Sequence, residues 1–416
     1  MKKIIAALLG AVLLTGSTAG LAACGGGTEE GADAKYKYDI TVWVGEGTQK
    51  VTEDLITQFN RGNGQGIWFN ARVIEKSEQN AAGDAIAKPE DAADIFCFAT
   101  DQIARLVYND LLSQPTGANL TAITTNHTTT AVDSVTVGDT VYAYPLTEDN
   151  GYFLYYDKRC FPNPADVDSI ESIVDYCTNN NRYFAFGLDG GWYFSSFFYA
   201  FGAKSEWTVE SDGRFTSYTD TFNSDNGLLA AKGMQKVIKC GRYIKNGKAD
   251  EFSSSIPAAA VVSGVWDYQT AKDALKENLG VAKLPTVTVD GRTERLVAPL
   301  GCKMLGVTRQ NDQDGTKTSA LHLLAKHLTN NESQMERFKN FNWRPSTKEG
   351  QDNEDVKNNE VLKALLATAT VHQGQYPEEW STKAETLSTR IEAAESDTAL
   401  LNALSQYQSA IAGLIE

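Results

Sequence analysis

Aromatic residues stand beside carboxylates at several points of this chain where a predicted strand ends or a helix begins. An aromatic ring can cover the C–H face of a sugar while a neighbouring carboxylate accepts hydrogen bonds from its hydroxyls. Taken singly, such aromatic residues more often belong to a core, but their repetition at strand ends favours a sugar-binding site. The positions are Trp43 with Glu46, Phe98 with Asp101, Trp192 after Asp189, Asp267 between Trp266 and Tyr268, and Trp380 after Glu378 and Glu379.

Two adjoining carboxylates, Glu148 and Asp149, lie between two strand-like runs of the sequence. Pro145 precedes them, and because proline has no backbone N–H it tends to interrupt a sheet. We therefore expect a loop that carries both carboxylates to a cleft at the first crossing between two lobes. The alternative, which this segment alone slightly favours, is a solvated hairpin turn.

The same rings and carboxylates would also suit a cationic ligand such as a polyamine, because a cation stacks on an aromatic face. The sequence does not separate this alternative from a sugar. Ionic strength would separate them, since the affinity for a polyamine falls steeply with salt and the affinity for a sugar hardly changes.

A surface enzyme that acts on polysaccharides is a third possibility, since a glycosidase needs two carboxylates at a defined separation. Nothing in the sequence fixes such a pair. His322 and His327 are five residues apart on one predicted helix, which places them on different faces and argues against zinc. The sequence also lacks phosphate-binding, serine-nucleophile and H-E-x-x-H motifs. We therefore predict no enzymatic activity, no cofactor and no metal site.

Length and charge restrict the class of protein further. The 416 residues exceed what one hydrophobic core normally covers, so we expect two domains. The formal net charge of −15 disfavours a nucleic-acid partner, because binding a phosphate backbone needs clustered lysine and arginine.

The N-terminus has the pattern of a secretory signal, with two lysines, an apolar run over residues 4–14 and small residues before Cys24. Leu21-Ala-Ala-Cys24 resembles the bacterial lipoprotein signal, which implies removal of residues 1–23 and lipid attachment to the Cys24 thiol. Residues 24–37 have little to bury and are predicted to be a flexible tether. We therefore expect an extracytoplasmic protein, anchored to the cell membrane through lipid on Cys24.

Five further cysteines are Cys97, Cys160, Cys177, Cys240 and Cys302, and none has a C-x-x-C spacing. An odd number cannot pair completely within one chain. We expect mostly buried thiols, and the sequence leaves one disulfide open.

Short apolar runs alternate with stretches of helical period in the first part of the chain. Residues 39–44, 68–74 and 94–98 are predicted strands, and Thr48 is predicted to cap the helix between the first two. This order predicts βαβ units and a largely parallel sheet. Farther along, a helix is expected over residues 226–245.

Several segments occur in the order found in one protein family. They are Ile40-Thr-Val-Trp-Val44, residues 93–101, residues 142–149, Gly264-Val-Trp-Asp-Tyr268 and Trp343-Arg-Pro-Ser346, with Trp380 matching more loosely. From about Asp39 to the C-terminus, the sequence resembles the extracellular solute-binding proteins of bacterial ATP-driven importers, in the maltose-binding-like, carbohydrate-binding branch. Maltodextrin binders commonly carry a basic residue where this chain has Gln102, so the identity of the sugar stays open.

The resemblance implies an α/β, two-lobed periplasmic-binding-protein-like fold of type II, in which each lobe is a mixed, mostly parallel sheet flanked by helices, with hinge crossings. The implied lobes are residues 38–147 plus 300–342 and residues 150–297 plus 347–416. The implied function is to capture a sugar or oligosaccharide as a monomer and deliver it to the permease subunits of an ABC transporter. The implied ligand-binding residues are Trp43, Glu46, Phe98, Asp101, Glu148, Asp149, Trp192, Trp266, Asp267, Tyr268, Arg344 and Trp380.

Overall fold

The computed structural model describes residues 33–312 and 315–415. The predicted signal peptide, the predicted lipidation site Cys24 and most of the predicted tether lie outside these residues. Within the described part of the chain, no helix is both long and apolar enough to cross a bilayer.

Strands occur throughout the described chain. In chain order they are β1 Tyr36–Val44, β2 Ile67–Glu75, β3 Ile95–Ala99, β4 Thr136–Val137, β5 Thr140–Val141, β6 Tyr144–Asn150, β7 Phe153–Asp157, β8 Tyr183–Ala185, β9 Ser205–Val209, β10 Phe215–Asp220, β11 Tyr243–Ile244, β12 Ala258–Ser263, β13 Leu279–Ala282, β14 Thr286–Val289, β15 Arg292–Arg295, β16 Ala298–Val307 and β17 Ala369–His372.

Helices connect and cover these strands. They are α1 Gln49–Gly62, α2 Glu78–Ala87, α3 Ile103–Tyr108, α4 Gly117–Asn126, α5 Thr129–Ser134, α6 Ile170–Asn179, α7 Gly191–Ala200, α8 Asp225–Ile238, α9 Tyr268–Leu275, α10 Thr316–Leu328, α11 Asn331–Phe341, α12 Lys348–Asp352, α13 Glu354–Asn358, α14 Glu360–Thr368, α15 Glu378–Ala393 and α16 Asp397–Ile411.

The first lobe is built on a six-stranded sheet of order β17-β16-β3-β1-β2, in which β6 also pairs with β16. β1 is parallel to β2 and β3, whereas β16 is antiparallel to β3 and β6 and parallel to β17. All the side chains of β3 are buried, which is the pattern of a strand covered on both faces.

The second lobe is built on a five-stranded sheet of order β11-β8-β12-β7-β13. β8 is parallel to β11 and β12, and β7 is antiparallel to β12 and β13. The two-stranded ribbons β4–β5, β9–β10 and β14–β15 lie outside the two main sheets. The predicted mixed α/β fold is therefore confirmed.

The chain crosses between the sheets at neighbouring positions. It passes from β6 to β7 after Asn150, it passes through β16, and it passes through residues 341–347. The crossings are hydrogen-bonded together, because the Glu148 N–H donates to the Arg344 carbonyl at 3.0 Å and Thr147 bridges to Pro345. The hinge is thus a small sheet-like unit rather than separate loose segments.

The structure corrects the prediction of a loop at Glu148 and Asp149. Both residues lie in β6, which continues through Pro145, and both are buried, with 6% and 0% of their surface exposed. Pro145 is tolerated because the register of β6 with β16 is irregular between Lys303 and Met304, which is the partner of Pro145.

Two helix predictions are also corrected. Thr48 precedes α1, but its hydroxyl donates to the Gly45 carbonyl at 2.6 Å instead of capping the helix. The helix predicted over residues 226–245 is α8, which ends at Ile238. Gly241, with a φ of +74°, turns the chain, and the apolar residues beyond it form β11 at the edge of the second sheet.

The five cysteines outside the N-terminal segment are free thiols. Cys240 is half-buried and the other four are buried, in agreement with the prediction of mostly buried thiols. Burial raises the pKa of the Cys177 thiol to about 12, so this group is unreactive at neutral pH.

Candidate functional site

The loop after β12 in the second lobe meets the first lobe at Trp266. This residue lies in the short 3₁₀ turn Val265–Asp267 and is 38% exposed, which makes it the one exposed tryptophan of the described chain. Its ring lies against Gly264, where a Cβ atom would be 2.2 Å from the ring. The Lys303 ammonium of the first lobe is 5.6 Å from the ring centroid. Trp266 therefore presents an aromatic face where the two lobes meet.

Lys303 is a buried lysine of β16, and its Nζ lies 2.8 Å from Oε1 of Glu78 at the start of α2. Burial by itself lowers the pKa of the ammonium, but the charges of Glu78 and Asp149 raise it above its ordinary value. Burial likewise acts to raise the pKa of Glu78, and the Lys303 charge lowers it on balance. Both groups are therefore charged at neutral pH. Gly45 leaves room for this carboxylate, because a Cβ there would be 2.7 Å from Oε1.

Two of the predicted aromatic residues lie in the core of the first lobe. Trp43 is 6% exposed, contacts Phe96 edge-on at 6.2 Å and carries the Lys76 ammonium 3.7 Å from its ring centroid. Phe98 is fully buried beside Phe96. Glu46, by contrast, is exposed in the turn after β1. The rings of Trp43 and Phe98 are therefore already packed against other residues of the protein.

Asp101 follows β3 and is connected to the hinge. Its carboxylate accepts hydrogen bonds from the side-chain amides of Gln102 at 2.6 Å and Gln373 at 3.1 Å. Gln373 in turn accepts from the Asn150 amide at 2.9 Å. Burial raises the pKa of Asp101, although these hydrogen bonds act in the opposite direction. Nearby, Arg105 of α3 lies 2.6 Å from Glu378 of α15, which is an ion pair between the lobes.

Glu148 is held entirely by residues around the hinge. Arg344 forms an ion pair with it at 2.7 Å, the Gln351 amide donates to it at 2.9 Å, and the Thr128 hydroxyl donates to the same carboxylate. Both Glu148 and Arg344 were predicted to contact ligand, and the structure places them together in this buried network.

Asp149 is fully buried and accepts hydrogen bonds from the Thr147 hydroxyl at 2.6 Å and the Arg344 N–H at 2.9 Å. Burial raises the pKa of Asp149, and the positive charge of Lys303 opposes that shift. The two carboxylates of β6 thus stabilise the crossing of the chain.

In the second lobe, Asp267 shapes the loop that presents Trp266. Its carboxylate accepts from the Ser263 hydroxyl at 2.7 Å and from the Ala249 N–H at 3.1 Å. Burial raises the pKa of Asp267. Tyr268 begins α9 beside it and is half-buried.

Trp192 and Trp380 differ in exposure. Trp192, in the first turn of α7, is half-buried, and its ring meets Tyr152 edge-on at 5.8 Å. Trp380 is 4% exposed, stacks on Tyr376 at 4.4 Å and donates its N–H to the Tyr407 hydroxyl at 2.9 Å. The ring of Trp380 is therefore already stacked within the second lobe.

Residues 37–364 match the family described as bacterial extracellular solute-binding protein. The chain belongs to this family. The family is extracellular, and its members bind solutes.

Solved solute-binding proteins share the two-lobed fold of this chain. The maltodextrin binding protein MalE1 from L. casei BL23 has a TM-score of 0.75 and 20% identity, with 90% of this chain and 99% of that chain covered. The maltose-maltodextrin binding protein of Alicyclobacillus acidocaldarius has a TM-score of 0.72 and 17% identity, with 89% and 100% covered. The Thermus thermophilus maltotriose binding protein has a TM-score of 0.71 and 16% identity, with 89% and 100% covered. Among curated protein sequences, no significant match is found.

In this solute-binding protein, sequence reasoning missed the polar side of the region where the lobes meet. Lys303 and Glu78 lie far apart in sequence and pair only in the fold, and Gln373 likewise meets Asp101 only there. Lys303 did carry a signal, because it is a single charge in the otherwise apolar strand β16. Trp343, 4.6 Å from the Lys303 ammonium, lay in a segment of the resemblance but was not predicted to be a site residue.

The lobes also meet at the tip of the β9–β10 hairpin. A Cβ atom on Gly213, at that tip, would lie 2.3 Å from the Ala104 carbonyl of α3. At the same tip, Ser211 packs against Gly138 of the β4–β5 hairpin. The structure therefore has the two lobes in contact at this end.

Two cavities, of about 280 and 510 Å³, lie elsewhere, on the helical surface of the first lobe. Both are lined by Ala122, Asn126, Lys326 and Asn330, and neither is lined by a predicted site residue. We place the candidate site where the strand ends of the two lobes meet, because ligands of open α/β sheets bind outside the carboxyl ends of the strands.

Proposed function

We propose that this solute-binding protein captures a sugar or oligosaccharide between its lobes and delivers it to the permease subunits of an ABC transporter. The observation that carries the proposal is the exposed ring of Trp266 in the second lobe, opposite the charged pair Lys303 and Glu78 of the first. A ring facing hydrogen-bonding groups matches the two kinds of surface of a sugar. Proteins named for binding maltodextrin, maltose and maltotriose share the fold and support the proposal.

Lobe closure would link binding to delivery. A ligand held from both sides stabilises the closed form, because only that form makes both sets of contacts. The permease then recognises the closed form. Motion is confined to the crossings at β6, β16 and residues 341–347. The lobe bounds 38–147 plus 300–342 and 150–297 plus 347–416 belong to this proposal, with β17 of the last range pairing with β16 in the sheet of the first lobe.

A thermal-shift screen followed by calorimetry tests the sugar. Monosaccharides, maltose, maltotriose and other oligosaccharides are each added to the protein, since a ligand of the folded state raises the melting temperature. Trp266→Ala should weaken the affinity for the best saccharide about 30-fold, as for an anchoring aromatic residue of about 2 kcal/mol. Trp68→Ala, which removes a half-buried tryptophan on β2, is the matched control. Equal affinities for the Trp266 and Trp68 variants would remove Trp266 from the site.

Two other outcomes would indicate a function other than sugar binding. A shift with spermidine alone, lost in high salt, would assign the protein to cationic solutes. Release of shorter oligosaccharides during incubation would assign it to polysaccharide-acting enzymes, the more so if one acidic substitution abolished the release.

We also propose that lipid on Cys24 anchors the mature chain to the outer face of the cell membrane. Cys24 lies outside the described residues, and the proposal rests on the Leu21-Ala-Ala-Cys24 motif. Labelling cells with a fatty-acid analogue should mark the wild-type protein. Cys24→Ala should lose the label and leave the membrane fraction, and retention of both would contradict the anchor.

A further inference from the structure

The Lys303–Glu78 pair has more hydrogen-bonding capacity than the described chain satisfies. An ammonium has three N–H donors, and Glu78 is the one carboxylate of the described residues within 4 Å of Lys303 Nζ. Glu78 Oε1 is buried, and its one close partner within the described chain is the Lys303 ammonium, 2.8 Å away. A buried ammonium with donors left over after one ion pair can donate to further acceptors, such as those of a ligand.

The same ammonium already lies close to two aromatic rings. Its distance is 4.6 Å to the centroid of Trp343 in the crossing at residues 341–347 and 5.6 Å to that of Trp266 in the second lobe. Both distances fall within the range of cation–π attraction. The position that a cationic ligand would take beside Trp266 is therefore occupied by a side chain of the protein.

We propose that Lys303 and Glu78 are specificity residues for a neutral sugar. Lys303 donates to one hydroxyl and Glu78 accepts from the next, while the Lys303 ammonium excludes cationic solutes from the rings of Trp266 and Trp343. This inference rests on the proposed function and adds that the site selects an uncharged ligand.

The balance of charges selects a neutral ligand over an anion as well. Lys303 and Glu78 neutralise each other, so an acidic sugar would find no net positive charge at the pair. The negative charge of Asp149 also acts on Lys303 and raises its pKa, while the Asp149 oxygens themselves accept from Thr147 and Arg344. A neutral diol needs no net charge, because it both donates and accepts hydrogen bonds.

Lys303→Met tests whether Lys303 donates a hydrogen bond to a sugar hydroxyl. Methionine keeps much of the length of the side chain and removes the charge and its donors. Affinity for the best saccharide of the screen should fall roughly 10- to 100-fold by calorimetry, as for the loss of a hydrogen bond from a charged group. Lys232→Met is the control, because Lys232 has two carboxylate partners at 2.8 Å in the second lobe, away from the rings. Unchanged affinity in the Lys303 variant would overturn the inference.

Cation exclusion is tested with tetramethylammonium and spermidine on the same proteins. The wild-type chain and the Lys232 variant should bind neither. Lys303→Met frees the rings beside the uncompensated Glu78, so it should gain salt-sensitive binding of at least one of the two cations. Binding of either cation by the wild-type chain, or none by the Lys303 variant, would contradict exclusion.

A double variant covers the possibility that Lys303→Met does not fold with Glu78 left unpaired. Lys303→Met with Glu78→Gln has no orphaned charge and should still lose saccharide affinity. A double variant that binds the saccharide as tightly as the wild-type protein would overturn the inference.

If the wild-type chain binds no saccharide at all, the proposed function fails, and so does the proposal that Lys303 and Glu78 bind sugar hydroxyls. The cation experiment would still show whether Lys303 excludes cationic solutes. If the wild-type chain binds saccharides and the variants bind them equally well, only the further inference fails.

Discussion

The two lobes bring different chemistry to the region where they meet. In the first lobe the predicted rings of Trp43 and Phe98 are buried, and the groups near the meeting point are the charged Lys303 and Glu78. In the second lobe Trp266 is exposed. An aromatic residue at a strand end is therefore not by itself a sign of a site.

The position of the strand explains the difference. Phe98 belongs to β3, a central strand whose side chains are all buried. Trp266 lies beyond the end of β12, where the turn Val265–Asp267 carries it clear of the buried sheet. The loop that follows a strand, rather than the strand itself, decides whether a ring is available to a ligand.

The largest effect should come from Trp43→Ala, which removes a buried ring from the first lobe. We expect the free energy of unfolding to fall by about 3–5 kcal/mol, as for large-to-small changes in a core. Trp266→Ala, at an exposed position, should lower it by less than about 1 kcal/mol. Urea unfolding measures both, and equal losses for the two variants would contradict the contrast between the lobes.

Arg344→Met should have the second-largest effect on stability, because it leaves Glu148 buried without its cationic partner. A loss of about 3 kcal/mol in the free energy of unfolding is expected. Lys50→Met is the control, since its ion pair with Asp54 on α1 is solvent-exposed and its removal should leave the urea midpoint unchanged. If Arg344→Met were as mild as the control, the carboxylates of β6 would not have the structural role assigned to them.

Acid should destabilise the first lobe specifically. Burial lowers the pKa of both His127 and His322 to about 4, and the Lys348 charge adds to the shift at His127. The unfolded chain takes up these protons near pH 6.5, so stability is complete above that pH and is lost as the pH falls from 6.5 towards 4. We expect a loss of roughly 3 kcal/mol for each histidine.

Urea unfolding between pH 7.5 and 4.5 measures this loss. His322→Gln should show a smaller decrease with acid than the wild-type protein, since one protonation site is gone while His127 and His327, whose pKa values burial also lowers, remain. An identical decrease would show that the buried histidines do not determine the acid response.

The smallest effect concerns the contact at the β9–β10 hairpin. Gly213 and Gly291 both have φ values above +80°, so alanine at either should cost about 1 kcal/mol of stability. Only at Gly213 would the new Cβ meet the other lobe, because nothing lies within 4 Å of the corresponding position at Gly291. Saccharide affinity should therefore fall several-fold in Gly213→Ala and remain unchanged in Gly291→Ala. Equal affinities would show that the contact at the hairpin does not contribute to lobe closure.

Much of the fold followed from the sequence because its signals are local. The runs that became β1, β2 and β3 are short, apolar and separated by helical stretches. The prediction for Glu148 and Asp149 was wrong in structure because two charges and a proline are normally signs of a loop. Their burial depends on Arg344, Thr128 and Gln351, which come from other parts of the chain.

The sequence by itself determined the family, the mixed α/β class and the aromatic loop at Trp266, since each depends on residues that are neighbours in the chain. Only the tertiary structure decided which rings are buried and which charges meet. Lys303 and Glu78 are 2.8 Å apart in space but far apart along the chain. Pairing and burial at such separations depend on how the strands are ordered in the sheet, and no local pattern records that order.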